Sequence, residues 1–203
     1  MLLKNVKDEK RRLRKRYRKL RENCPAELKA KLDKALTAQV LSLDEFKSCD
    51  TLFVFISSPI ECDTSEIISE AFRQGKRVAV PRCIDKFGKM DFYYIKSTAD
   101  LSPGSFSLME PDPEKCLKVT DFTKGLCIVP GLCFDYEGYR VGFGKGYYDR
   151  FLNAFRGTTV GICYSRYTEK QLPRGAHDRH TDILVTEKFT NRMVKRYMNG
   201  KLQ

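Results

Sequence analysis

A chain of 203 residues with 41% apolar and 32% charged side chains can bury a sizeable core and is too apolar to stay disordered. Its net charge of +12 points to anionic partners: nucleotides, polyanionic small molecules or nucleic acid. No apolar run approaches the ~20 residues of a membrane span, the eight cysteines form no C-x-x-C pair, and the only two histidines lie in Cys-poor surroundings, so neither a membrane span nor a zinc site is expected. With no signal peptide before the basic start, the expected setting is the cytoplasm, with free thiols.

Residues 4–21 carry eleven Lys and Arg against Asp8 and Glu9, which is most of the excess charge. Residues 5–22 lack Gly and Pro and predict a helix with a modest apolar stripe of Leu13, Tyr17 and Leu20. A second helix begins near Pro25 and runs to about residue 43, with Leu28, Leu32, Leu36, Val40 and Leu43 at helical spacing. Thr51–Ile56 reads as a buried strand, and 57–63 as the loop after it. Thr64 is placed to cap a helix that turns Ile67, Ile68, Ala71 and Phe72 inward and ends at Gly75. Arg77–Val80, stopped by Pro81, completes a βαβ unit, whose crossover is expected to be right-handed.

Met90–Ile95 reads as a strand paired antiparallel with a neighbour, and 97–113 as a loop rich in Pro and Gly. Leu126–Val129 is a strand, followed by a glycine-rich loop, a helix from about Gly146 to Phe155 and a strand over Thr158–Cys163. A polar loop (173–182) leads to a short strand, Ile183–Thr186, and a basic tail around Lys195 and Arg196. This alternation predicts an α/β fold: a three-layer open sheet, mainly parallel with some antiparallel strands, with helices on both faces. One domain is expected over 1–203, its first 45 residues a helical segment packed on the α/β core. Ligands in such sheets collect at the carboxyl ends of strands, where the loops 57–63 and 131–145 both fall.

The second of those loops carries the strongest chemical signal. It runs Gly138-Tyr139-Arg140-Val141-Gly142-Phe143-Gly144-Lys145-Gly146-Tyr147-Tyr148-Asp149. A strand, a glycine loop and a helix start are the parts of a phosphate site, because Gly lets backbone approach an anion and free N–H groups at a helix start face it. The spacing fits neither a Walker A loop nor a dinucleotide fingerprint.

Together with Val129-Pro130-Gly131-Leu132 and Phe134-Asp135, this block resembles the 5-formyltetrahydrofolate cyclo-ligase family. Weaker matches run through nearly the whole chain in the right order. They are Lys10-x-x-x-Arg14, Phe55-Ile56-Ser57 leading to Glu61 and Thr64, Pro81-Arg82, Met90, Phe92, Glu110-Pro111, and His177-Asp178 to Asp182 before Thr186-Glu187. The resemblance implies ATP-driven closure of 5-formyltetrahydrofolate to 5,10-methenyltetrahydrofolate, with Mg²⁺ as cofactor and ADP and phosphate released. It implies ATP contacts from Lys10, Arg14, Arg140, Gly142, Phe143, Gly144, Lys145, Gly146, Tyr147 and Tyr148. Arg140, Lys145 and Tyr148 would be catalytic, Ile56, Glu61, Tyr147 and Tyr148 would hold the folate, and Asp149 and Asp182 would ligate the metal. Phe143 departs from the family pattern, since many members carry a polar or basic residue there. A ring cannot bond phosphate, so stacking on a substrate ring is the alternative.

The expected partners are ATP and a folate, with or without a polyglutamate tail, bound by a monomer. Three other readings compete. A nucleic-acid-binding protein would suit the basic helix, but no recognition module accompanies it. A sugar-phosphate isomerase or CoA transferase on a similar fold would not need Lys10, Arg14 or the metal carboxylates. A member that only binds folate would not need Arg140, Lys145 and Asp149.

Overall fold

The structure is a computed structural model that describes residues 2–104, 108–193, 197–198 and 201–202. Lys195 and Arg196 of the basic tail lie outside them. Helix α1 spans Leu2–Glu22, α2 Ala26–Ser42 and α3 Asp44–Ser48. Strand β1 is Thr51–Phe53, α4 Ser65–Arg73, β2 Arg77–Cys83 and β3 Met90–Ile95. A small hairpin, β4 (Leu101–Pro103) with β5 (Met109–Pro111), occupies the segment expected to be loop, and β6 is Leu117–Lys118. Then come β7 (Leu126–Val129), β8 (Cys133–Asp135), β9 (Arg140–Val141), α5 (Tyr147–Ala154), β10 (Thr158–Ile162), β11 (Thr168–Glu169), β12 (Ile183–Val185) and β13 (Thr190–Arg192).

The main sheet has the order β13-β12-β10-β7-β1-β2-β3-β6. Its centre, from β12 to β2, pairs parallel, and both edges pair antiparallel. Alternate residues of each central strand face opposite layers, as the two-residue strand period requires. Leu52, Val54, Val78, Val80, Leu126 and Ile128 share one core cluster with Leu13 and Tyr17 of α1, Leu36 and Val40 of α2, Phe46 of α3 and Ile67 of α4. Phe53, Ala79, Cys127 and Val129 face the other way, onto Phe151, Leu152 and Phe155 of α5. Full burial of side chains of this size contributes about 2 kcal/mol each. The fold is therefore the α/β layering read from the sequence.

Four local expectations change. Pro81 does not stop β2, which continues to Cys83 opposite β3. The Arg77 amide and the Ala79 carbonyl bond toward the β1 side, so by alternation the Pro81 nitrogen faces that side too, past the last residue with which β1 pairs. Thr64 precedes α4 but does not cap it. Its hydroxyl donates to the Phe55 carbonyl at 2.8 Å, and Asp63 accepts from the Ser65 amide instead. Leu20 is exposed, and Arg21 takes its place on the buried stripe of α1. The loop after β7 holds a short pair of its own, β8 with β9. Gly75 does close α4 as expected, at φ +70°, with Lys76 and Gly75 amides donating to Ala71 and Phe72.

From β1 the chain passes through α4 to β2 on one side. From β7 it passes through α5 to β10 on the other. Strands β1 and β7 are neighbours, so their connections diverge from one point in the sheet. That is where open α/β sheets form a crevice beyond the carboxyl ends of their strands.

Candidate active site

Loop 57–63 leaves β1 and the glycine block follows β7, so both loops meet at that divergence. Helix α1 crosses above them and brings Lys10, Leu13, Arg14, Tyr17 and Arg21 to one face, at the three- and four-residue spacing of a helix. Lys10 pairs with Asp178. The Arg14 Nε donates to the Gly142 carbonyl at 3.0 Å, and burial lowers the pKa of that guanidinium against the opposing charges of Asp178 and Asp149. Arg140, on β9, is buried. It donates to the Arg179 carbonyl at 2.7 Å and to Asp149 Oδ1 at 2.8 Å. Arg14 of α1 and Arg140 of β9 thus meet at the glycine block, and Lys10 joins Asp178 one helical turn from Arg14.

The loop itself is open. Gly144 and Gly146 adopt φ +100° and +73°, which side chains rarely tolerate, and Gly146 stands immediately before α5 without a side-chain cap. A β-carbon added at Gly142 would meet nothing within 4 Å. Lys145 is exposed. Phe143 is 40% exposed, with the Arg18 guanidinium 5.6 Å from its ring centroid. Asp149 lies in the first turn of α5, where a carboxylate faces the positive end of the helix dipole. It also accepts from the Arg179 amide at 3.3 Å.

On the other loop, Glu61 is 6% exposed. Burial raises its carboxyl pKa, while the Ser58 amide and hydroxyl, bonded to Oε2 at 2.9 and 2.7 Å, act against the rise together with Arg21 and Lys29. Ile56 is half-buried against the same core. Tyr147 and Tyr148 point to different surroundings. The Tyr147 hydroxyl donates to the Asp85 carbonyl at 2.5 Å, and burial with nearby Cys83, Asp85 and Glu110 pushes its pKa up to about 12. The Tyr148 hydroxyl is buried without a hydrogen-bond partner among the described residues. Burial drives its pKa well above the usual value, with Cys127 and Glu61 adding to the rise. A buried polar group without a partner is a candidate ligand contact.

The sequence matches the 5-formyltetrahydrofolate cyclo-ligase family over residues 6–187. The chain belongs to that family. It is therefore an enzyme of the ligase class. A plant cyclo-ligase from Arabidopsis thaliana, described as mitochondrial, is 35% identical over 91% of this chain and 76% of its own. A probable cyclo-ligase of Schizosaccharomyces pombe is 30% identical over 75% and 82%. The solved 5,10-methenyltetrahydrofolate synthetase of Aquifex aeolicus superposes with TM-score 0.80 at 34% identity, over 94% of this chain and 96% of that one.

Within this cyclo-ligase fold, Asp182 stands apart from the other expected site residues. It precedes β12 beside Thr159, at the amino ends of β10 and β12, opposite the crevice. Its Oδ2 accepts from the Thr159 amide at 2.8 Å and hydroxyl at 2.7 Å. The structure does not bring it to Asp149. Two hollows of about 410 and 250 Å³ also lie at that opposite end, lined by Lys47, Lys76 and Lys124 among others. Residues not anticipated at the site are Asp178, Arg179 and Arg21. Arg21 was legible: it continues Leu13 and Tyr17 by four residues, but a search for apolar side chains selects Leu20 instead.

Proposed function

We propose that this chain closes 5-formyltetrahydrofolate to 5,10-methenyltetrahydrofolate, using ATP and Mg²⁺ and releasing ADP and phosphate. The observation that carries this reading is the meeting of Arg14 and Arg140 at an open glycine loop, with Lys10 one helical turn from Arg14, together with a buried acid and a tyrosine hydroxyl unpartnered among the described residues. The formyl oxygen attacks the γ-phosphorus and ADP departs, giving an imidate phosphate. N10 of the folate then adds to the formyl carbon and loses its proton, and the C–O bond breaks to release phosphate. The first step moves charge between oxygens and the second sends an electron pair out with the phosphate, leaving positive charge on the ring nitrogens, so the protein's task is positioning and charge neutralisation.

Placement supports the following roles. Lys10, Arg14, Arg140 and Lys145 neutralise the phosphate chain, with the backbone of Gly142, Gly144 and Gly146 close to it. Phe143, beside Arg18, offers an aromatic face to the adenine. Glu61 accepts two N–H bonds from the 2-amino-4-oxo edge of the pterin, and Ile56 packs on the folate body. The Tyr148 hydroxyl orients the formyl group, and Tyr147 borders the same region. Asp149 fits Mg²⁺: it is a partly exposed hard-oxygen ligand at a helix start beside the loop, and magnesium in such sites takes one or two carboxylates plus phosphate oxygens. When bound, the ion would offset phosphate charge. Asp182, held by Thr159 at the other end of the sheet, is not included in this role.

The test is direct. Protein, 5-formyltetrahydrofolate, ATP and Mg²⁺ are mixed and the near-ultraviolet absorbance of the methenyl product is followed. Product that depends on ATP supports the reading. Absence of product, or product formed without ATP, overturns it.

A further inference from the structure

Arg21 is 4% exposed yet forms no ion pair among the described residues. Its guanidinium is met by backbone carbonyls instead. Nε donates to the Leu132 carbonyl at 2.9 Å, one terminal nitrogen to the Gly131 carbonyl at 2.9 Å, and the other to the Ile60 carbonyl at 3.0 Å. The nitrogen on Gly131 also reaches the Cys163 sulfur at 3.7 Å. The Tyr167 and Tyr164 rings lie 4.9 and 5.9 Å from the guanidinium carbon, offering their faces to the cation. Ile60 precedes Glu61 in the loop after β1. Gly131 and Leu132 open the segment after β7.

One side chain from a third element therefore ties together the two loops that diverge at the crevice. Burying a charge without a carboxylate is costly unless its donors are satisfied. Only the rigid, planar fork of arginine presents donors in three fixed directions at once; the ammonium of lysine is a point charge on a flexible stem. A charge so placed serves poorly as a mere stability element, since an apolar side chain could fill the space between α1 and the sheet without that cost.

We propose that Arg21 is a positioning residue that fixes the folate-side loop, and with it the Glu61 carboxylate, against the segment after β7. This rests on the reading of the crevice given above. The other end of the loop is held independently, because Asp33 on α2 accepts from the Asp63 amide at 2.9 Å. Loss of Arg21 thus frees the Glu61 side of the loop without releasing its exit into α4. The Arg21 charge also acts on Glu61 itself: with Lys29 from α2 it favours the carboxylate, while Tyr148 faces the acid from α5.

The experiment compares Arg21→Lys, Arg21→Gln and, as a comparator for lost stability alone, Val40→Ala in the core beneath α2. Steady-state KM for 5-formyltetrahydrofolate and for ATP is measured for each, at a temperature where all are folded. Amide hydrogen exchange of residues 57–63 is measured in the ligand-free proteins. Both Arg21 variants should raise the folate KM roughly tenfold or more, as expected when hydrogen bonds to a charged group are lost, with the ATP KM within about twofold of wild type. Exchange in the loop should quicken in both, and Val40→Ala should reproduce neither effect. Unchanged folate KM in both variants, or folate and ATP KM rising together, would overturn the proposal. A wild-type protein without turnover would instead sink the functional reading; exchange in the loop then decides the positioning claim, and unchanged exchange rejects it.

Discussion

Arg140 donates to Asp149 Oδ1 at 2.8 Å, joining the end of β9 to the first turn of α5 across the glycine loop. The guanidinium is buried, whereas the carboxylate is one-third exposed. The pair holds the cation and the acid side by side at the glycine loop, where the proposed reaction would need phosphate neutralisation and magnesium. Asp149→Asn should lower kcat and raise the Mg²⁺ concentration needed for half-maximal rate, at a stability cost of about 1–3 kcal/mol from the weakened charged hydrogen bonds. A magnesium titration beside a thermal melt separates the two effects, and an unchanged magnesium requirement would remove Asp149 from the metal.

Lys145 and Arg140 should diverge in stability and agree in catalysis. Lys145 is exposed, so Lys145→Ala should leave Tm unchanged, whereas Arg140→Ala empties a buried site. Both should lower kcat/KM for ATP by about 10²–10³-fold, the size of effect seen when a donor to developing charge is removed, with folate binding less affected. Unaltered turnover in both variants would place the phosphates elsewhere.

Tyr148→Phe is expected to separate function from stability. The hydroxyl is buried without a partner in the ligand-free protein, so its removal should cost nothing and can stabilise by up to about 1 kcal/mol. Turnover of the folate should fall. A variant that melts lower, and works as well as wild type, would contradict this assignment.

Glu61 carries a pH signature. Its folded pKa is raised, chiefly by burial, so between the ordinary carboxylate range and the folded value the native state holds more protons than the unfolded chain. Its contribution to stability therefore falls as pH rises through that window, and is regained on acidification. Folate binding, which needs the carboxylate, should move the opposite way. Glu61→Gln should flatten that component of the stability profile, raise Tm near neutral pH and weaken folate binding. The comparison is the difference between the two melting profiles; identical slopes would refute the burial argument.

Two glycines provide a steric contrast. Gly142→Ala meets nothing within 4 Å, so Tm should hold while the ATP KM rises, because the added methyl enters the space left for phosphate. Gly144 has φ +100°, and its β-carbon would sit 3.1 Å from the Arg14 guanidinium. Gly144→Ala should therefore lose about 1–2 kcal/mol of stability as well as ATP affinity. Equal behaviour of the two variants in both assays would argue against the phosphate path.

The architecture was legible because the central strands are short apolar runs punctuated by Gly and Pro, and because α4 and α5 show clear inward faces. What escaped had physical reasons. Pro81 reads as a stop in sequence, yet its missing donor faces a side where β1 has ended. Strands β8 and β9 are two or three residues long and leave almost no periodic signal. Thr64 has the composition of a cap, but a carbonyl at Phe55 competes for its hydroxyl. At the site, the glycine block stood out by residue type, and Glu61 was reached through the family resemblance. Asp182 is also acidic, but only the strand register reveals that it belongs to the opposite end of the sheet.

Helix α1 has one more consequence. Lys10 and Arg21 are eleven residues apart on a continuous helix, hence about 16 Å along its axis. On the proposed reading one end faces the phosphates, while the other grips the loop of the buried acid, so the helix serves as a ruler between the two halves of the crevice. Its graduations are fixed by backbone geometry. A single residue inserted between Arg14 and Arg21 would turn one end about 100° against the other, unhooking the phosphate cations or the loop while leaving every other element of the fold in place.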